Sequence, residues 1–250
     1  MFFRKNIIKK YRKKLKNIKQ KYFAILQNER NKIISILKHD IKTPILAQNQ
    51  SLKLLLDGNF GNINQIQKEI LDEIYQSNKF LLEIVVNSIF LEKYENEKPK
   101  LNLENINFVE QIKDCCELIK PQANEKQQNI IIKKNTTDEI KLNADRKLIE
   151  KIIFNILSSS VNYGFENSNI EISIDEKPDS ISFCAKNSSI YMTKEKLNSL
   201  FEDKKKSDFN QLGMNLNLNI AKKLIVAHNW DIIANSREDN SAIFGFVVKK

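Results

Sequence analysis

Ser35-Ile36-Leu37-Lys38-His39-Asp40-Ile41-Lys42-Thr43-Pro44 holds one of the chain's two histidines inside a stretch that reads as helix. A helix advances about 100° per residue, so Ile34, Leu37 and Ile41 gather on one side while His39 projects roughly opposite them, into water. Thr43, one turn on, shares the face of His39, and Asp40 is its immediate neighbour. A solvated imidazole beside a carboxylate suits a nucleophile. It equally suits a surface histidine with no role, and the stretch alone leaves both open.

Upstream, apolar residues fall at Ile8, Tyr11, Leu15, Ile18, Tyr22 and Ile25, alternating steps of three and four. That spacing is a coiled-coil seam. Around it stand Arg4, Lys5, Lys9, Lys10, Arg12, Lys13, Lys14, Lys16, Lys19 and Lys21, with no acid before Glu29. The segment therefore suits a dimer stalk, a helix lying on an acidic membrane surface, or a solvated helix leading into the next element. No Pro or Gly occurs before Thr43, so one long helix is expected, bent just past His39 where Pro44 removes a backbone donor.

Downstream, Leu52, Leu55 and Leu56 continue an apolar stripe to Asp57-Gly58-Asn59-Phe60-Gly61-Asn62, a turn. A second helix is expected from about Ile63 to Tyr94, with Ile66, Ile70, Ile74, Leu81, Ile84 and Leu91 facing inward. Two long helices on a tight loop make an antiparallel hairpin, and two hairpins pairing into a four-helix bundle would bury stripes of this length. Glu95 to Lys100, charged and carrying Pro99, reads as a linker.

Beyond it the pattern becomes mixed. Strands are expected at Leu101 to Phe108, Asn129 to Lys133, Asn169 to Ile174 and Ser180 to Ala185, with a closing hairpin of Asp231 to Asn235 and Ala242 to Val248. Helices are expected at Val109 to Ala123, Arg146 to Asn162, Thr193 to Glu202 and Leu216 to Ala227. This order suggests one mainly antiparallel sheet covered on one face. The expected division is 1–30 stalk, 31–96 hairpin and 97–250 mixed domain.

The net charge of +10 looks like a nucleic-acid signal until it is located. All of it lies in residues 1–28, and the rest carries basic and acidic residues in equal number. With only Tyr11 and Tyr22 interleaved and no groove-reading module, no nucleic-acid partner is expected. No apolar run is long enough to cross a bilayer and the first residues lack a signal-peptide pattern, so a cytoplasmic chain, peripheral at most to a membrane, is expected. Cys115, Cys116 and Cys184 form neither a disulfide framework nor a zinc set, and no metal site is expected.

His39-Asp40-Ile41-Lys42-Thr43-Pro44 resembles the phosphoacceptor box of two-component sensor histidine kinases. The resemblance covers the chain from about residue 20 to its end. It implies an α + α/β sandwich: a long-helix hairpin forming a dimeric four-helix bundle, then a histidine-kinase-type ATPase-like α+β domain. It implies further that His39 carries a phosphoryl group, that Asp40 acts as general base on the imidazole, and that Thr43 places the water that hydrolyses a phosphorylated receiver.

The second domain resembles the family's ATP-binding domain but departs from its motifs. In Asn155-Ile156-Leu157-Ser158-Ser159-Ser160-Val161-Asn162-Tyr163, Asn155 and Tyr163 fit. Ser159 stands where a magnesium-holding asparagine belongs, and Asn162 replaces a basic residue that meets phosphate. The adenine-binding Asp-x-Gly-x-Gly turn falls at Ala185-Lys186-Asn187-Ser188-Ser189, with none of its key residues. Gly213-Met214-Asn215-Leu216-Asn217-Leu218 keeps only the first glycine of the phosphate loop. His228 stands where the family has His-Gly-Gly, and reads as structural.

These departures suggest a retained scaffold with a lost ATP site. The leading expectation is a homodimeric phosphotransfer or phosphatase component that exchanges a phosphoryl group between His39 and an aspartate of a response-regulator receiver domain. No cofactor would be held tightly, since the receiver brings its own Mg2+. The runner-up is an active kinase using ATP and Mg2+ through a divergent site. A third reading is a non-enzymatic pseudokinase scaffold that pairs with an intact histidine kinase.

Overall fold

With no proline or glycine to interrupt it, helix α1 runs from Phe2 to Ser35. A π segment, Ile36–Ile41, joins it to α2, Lys42–Leu56. The computed structural model describes residues 2–96, 100–135, 139–201 and 209–250, with side chains for all of these except 2–13, 95–96, 134–135 and 209–215. Contacts divide the chain into two units, Met1–Glu92 and Lys93–Lys250. Residues 97–99, with the expected linker proline Pro99, lie outside the described residues.

In the first unit the chain reverses through a turn in which Gly58 and Gly61 take φ of +76° and +109°, a region that side chains disfavour. Asn64 then starts α3, Gln65–Asn96. Its Oδ1 accepts the Gln67 N–H at 2.8 Å while the Gln67 Oε1 accepts the Asn64 N–H at 2.9 Å, a reciprocal cap. Arg30 and Glu92, about equally far along the chain from this turn, form a salt bridge at 2.7 Å, as an antiparallel hairpin requires.

The irregularity expected past His39 instead encloses it. The Lys42 N–H bonds to the Leu37 carbonyl, five residues back, so the turn before Pro44 is already widened. A proline ring clashes with the carbonyl four residues upstream, and a wide turn is one way to make room for it. The inward positions follow suit: Gln27, Arg30, Ile34, Leu37, Lys42, Ile45, Asn49 and Leu52 step by three or four except across the wide turn, where the step is five. Lys42, rather than Ile41, takes the half-buried position, and Ile41 is exposed.

The stripe expected to face inward on α3 also differs. Ile84 and Leu91 are half-buried, but Ile66, Ile70, Ile74 and Leu81 are exposed in this single chain. Leu71, Tyr75, Asn78, Leu82 and Val85 make the buried or half-buried line instead. α3 thus carries two apolar lines, and the hairpin covers only one.

The second unit is built on a five-stranded sheet in the order β2-β4-β5-β7-β6. Its strands are β2 (Asn129–Asn135), β4 (Asn169–Glu176), β5 (Ser180–Ser188), β6 (Asp231–Arg237) and β7 (Ser241–Lys249). β2 and β4 are parallel; the other pairings are antiparallel. A second, two-stranded sheet pairs β1 (Glu104–Asn107) with β3 (Lys141–Ala144). Four residues are too few for a period-2 pattern to stand out, and β3 has no counterpart among the expected strands.

Along β4 and β5 every second residue is buried, so one sheet face is dry. Helices α4 (Phe108–Glu125), α5 (Arg146–Tyr163) and α7 (Phe209–Ala227) pack there, with α5 between the other two. The short α6, Lys194–Ser199, ends before the expected Glu202, which lies outside the described residues. Phe108, Phe183 and Phe246 fill the centre with ring centroids 5.5 to 6.5 Å apart, and Trp230 stacks on Phe246 at 5.3 Å. Gly245 is required beside them, because a Cβ there would collide with the carbonyl oxygen of Phe183 on the next strand. Among the described residues no helix is long and apolar enough to cross a membrane.

Candidate functional site

His39 and Asp40 sit in the wide turn and Thr43 in the first turn of α2, and all three side chains are exposed. An imidazole in water can be reached by a second protein's active site, which a buried one cannot. Single π turns inside α-helices occur frequently at functional sites. The remaining positions read from the sequence, Asn155, Ser159, Asn162 and Gly213, lie in the second unit.

Asp145 starts α5 by accepting the N–H groups of Lys147 and Leu148 on Oδ1 at 3.1 Å each, while its Oδ2 accepts the Asn102 N–H at 2.9 Å. His228 supports the same corner: buried, it donates Nδ1–H to the Leu224 carbonyl at 2.8 Å, and Nε2 accepts the Asp145 N–H at 3.4 Å. The neutral imidazole with its proton on Nδ1 satisfies both bonds, as befits a structural histidine. Its ring lies 4.5 Å from that of Trp230.

The far end of α5 is where the ATP motif residues fall. Asn155 is buried and its Nδ2 has no hydrogen-bond partner. Ser159 is fully buried and donates its hydroxyl to the Asn155 carbonyl at 2.8 Å; Ser160 does the same to Ile156 at 3.0 Å. Asn162 is half-buried and its Oδ1 accepts from Gln122 Nε2 at 2.9 Å. Burial raises the phenol pKa of the neighbouring Tyr163, whose ring packs on Phe244 at 6.0 Å.

Three side chains close the carbonyl end of this helix. Lys126 Nζ donates to the carbonyls of Asn162 at 2.9 Å, Val161 at 3.1 Å and Gly164 at 3.2 Å. Burial lowers the pKa of Lys126, with Glu166 partly restoring it. Gln128 Nε2 donates to Phe165 at 2.9 Å and Val161 at 3.1 Å. Asn187 Nδ2 donates to the Ser160 carbonyl at 2.6 Å. A cation at a helix C-terminus is favourable both as a charge on the dipole and as a donor to orphan carbonyls. Lys126→Met is expected to destabilise the unit by about 1–2 kcal/mol, seen as a lower urea midpoint with unchanged slope.

Lys126 and Gln128 stand in none of the sequence motifs, and Asn187 stands in one only as a missing glycine. For Asn187 a signal existed: the buried alternation of β5 through Ile181, Phe183 and Ala185 carries on to it. Gly213 lies inside α7, whose helix begins at Phe209 rather than near Leu216. Replacing phosphate-loop glycines by Asn215 and Asn217 removes helix breakers, and the helix extends back through the segment. Asn217 is buried there and its Nδ2 reaches Ser158 Oγ at 3.4 Å.

An adenine nucleotide with magnesium asks for a carboxylate to meet the adenine amino group, an amide or carboxylate oxygen turned to the metal, and glycine backbone against phosphate. Ala185 is fully buried and offers no acceptor. The Ser159 proton is committed to its own helix, and Asn187 fills with an amide a position where the motif has glycine. These residues do not fit the group. Among the described residues no cluster of three or more His, Cys, Asp or Glu could hold a metal. The cysteines are free, and burial pushes Cys115 and Cys116 up to about 12 and Cys184 to about 11.

Residues 144–250 match the family described as histidine kinase-, DNA gyrase B-, and HSP90-like ATPase. Sensor protein KdpD of Clostridium acetobutylicum is 22% identical over 216 residues, which is 85% of this chain and 24% of that protein. Over most of its length the chain is similar to two-component sensor histidine kinases, and its second unit carries their ATPase-type domain. It spans less than half the length of the first curated family members it matches. Among solved family structures, full-length ShkA in complex with AMPPNP aligns with TM-score 0.66 at 18% identity, covering 87% of this chain and 45% of that one. Histidine kinase ThkA in complex with response regulator protein TrrA aligns with TM-score 0.59 at 19% identity, covering 92% of this chain and 66% of that one. The fold is therefore that of the family: a helical region followed by an α/β ATPase-type domain.

Proposed function

We propose that this chain is a homodimeric histidine phosphotransfer or phosphatase component of a two-component pathway, working on a receiver-domain aspartate and without using ATP itself. One contrast carries the reading: His39 and Asp40 stand exposed on a widened turn with Thr43 exposed just beyond it, while Ser159, at the position expected to hold magnesium, is buried with its hydroxyl bonded within its own helix and Asn187, at a motif glycine, closes that helix's end. That ThkA forms a complex with a response regulator supports the choice of partner. The exposed line Ile66, Ile70, Ile74 and Leu81 supports the dimer, because a second hairpin would cover it.

In the transfer step one nitrogen of His39 attacks the phosphorus of the aspartyl phosphate. The N–P bond forms as the P–O bond to the aspartate breaks, and the carboxylate leaves. The proton on the other ring nitrogen passes to Asp40 or to water, leaving the ring of the phosphohistidine uncharged. The receiver's own Mg2+ balances charge on the phosphoryl oxygens. For hydrolysis, Thr43 holds a water whose oxygen attacks the phosphorus of the aspartyl phosphate; the new P–O bond forms as the P–O bond to the aspartate breaks, the carboxylate leaves, and the water's proton passes to solvent as inorganic phosphate is released.

The second reading, a kinase with a divergent nucleotide site, is favoured by one observation. Asn155 Nδ2, Asn187 Oδ1 and Ser189 Oγ are buried without hydrogen-bond partners, as groups awaiting a ligand would be. Calorimetric titration with AMPPNP and Mg2+, together with incubation with radiolabelled phosphoreceivers, separates the two. The proposal expects no micromolar nucleotide binding, and label on His39 from a phosphoreceiver. Label on His39 from ATP alone overturns it.

A further inference from the structure

Independently of that reading, we infer that α1 over residues 14–28 is a docking surface for an anionic lipid bilayer, on which the helix lies flat. Leu15, Ile18, Tyr22, Ile25 and Leu26 are all more than half exposed. At about 100° per residue they fall within an arc of roughly 100°. Lys14 and Lys21 border that arc on one side and Lys19 on the other, with Phe23 and Lys16 behind Lys19, all exposed. The spacing of the earlier residues extends both patterns: Ile7, Ile8 and Tyr11 fall in the arc, and nine of the ten basic residues of the segment fall outside it. Such a helix buries its apolar arc at the headgroup boundary while the lysine stems reach up to the phosphates.

Charge decides between this occupant and a second copy of the helix. In a parallel pair with Tyr11, Leu15, Ile18, Tyr22 and Ile25 on the seam, the flanking positions are Arg12, Lys14, Lys19 and Lys21, and Lys14 of one helix would face Lys19 of the other. No acid stands anywhere before Glu29 to relieve that repulsion. An anionic surface turns every one of these charges into an attraction. A nucleic acid would neutralise them too, but it leaves the five side chains of the arc, and Phe23 beside it, in water.

The experiment is flotation of the full chain with vesicles of phosphatidylcholine alone or with about 30% phosphatidylserine, at low salt and at about 0.5 M NaCl. Retention on the anionic vesicles is expected to exceed that on the neutral ones by at least about tenfold and to fall steeply with salt. The variant Lys14→Glu/Lys16→Glu/Lys19→Glu/Lys21→Glu is expected to lose it. So is Ile18→Ser/Tyr22→Ser, which keeps every charge and shows that the apolar arc inserts. Circular dichroism checks that both variants keep their helix. Equal retention on the two vesicles, or undiminished retention of the fourfold variant, overturns the inference. So does an Ile18→Ser/Tyr22→Ser variant that becomes monomeric yet still floats, or a chain that binds duplex DNA through this helix and no vesicle.

Discussion

His39→Ala is expected to reduce phosphoryl label acquired from a phosphorylated receiver by at least about 10³-fold, to background, because the nucleophile itself is gone. The side chain is exposed and makes none of the buried contacts of the hairpin, so the thermal midpoint and helix content of the variant should match those of the parent. Asp40→Asn keeps the shape and removes the base; it should slow transfer by roughly 10²-fold or more while leaving the end point intact. Thr43→Ala separates the two activities, since label still reaches His39 but release of inorganic phosphate from the receiver falls. If His39→Ala keeps its effect on the receiver, the scaffold reading replaces the phosphotransfer one.

Phe246→Ala is expected to cost about 3–5 kcal/mol in the second unit. Phe246 is fully buried and is the one ring of the cluster that touches Phe108, Phe183 and Trp230 together. Its loss therefore opens a cavity bounded by α4, β5 and the start of β6 at once, and removes the stacked Trp230 pair besides. In thermal denaturation the midpoint should drop on the order of 10 °C. Trp230 is the chain's single tryptophan, so its fluorescence reports the same site directly. A shift of only a degree or two would mean that the four rings do not form the centre of this unit.

The parts legible in the sequence were those that depend on near neighbours. α5 could be placed within a residue because Asp145 is a strong cap and Ile149, Ile152, Ile153 and Ile156 repeat at helical spacing. His39 could be placed in water from the same arithmetic. The wide turn could not, because a step of five looks like any other gap until the backbone bond from Lys42 to Leu37 is seen. Likewise α3 offers two apolar lines, and spacing alone does not say which one the chain's own helices cover.

The candidate site divides the same way. Missing glycines at Asn187, Asn215 and Asn217 were readable one by one. What took their place was not. The Asn187 amide closes a helix end 27 residues away in sequence, and Lys126 reaches carbonyls up to 38 residues on. Such bonds depend on how strand and helix meet, and no local pattern encodes them. The phosphate-loop stretch was read by its ancestry as a loop, whereas its composition, free of proline and with a single glycine, already favoured helix.

The wide turn at His39 also governs how this hairpin can be joined to anything else. A heptad frame carried from Ile45 and Leu52 back through Leu37 arrives one residue out of phase. A foreign coiled coil spliced on at Ser35 must take its phase from Leu37 and Ile34. One phased from Ile45 would present the wrong face of the graft along its whole length.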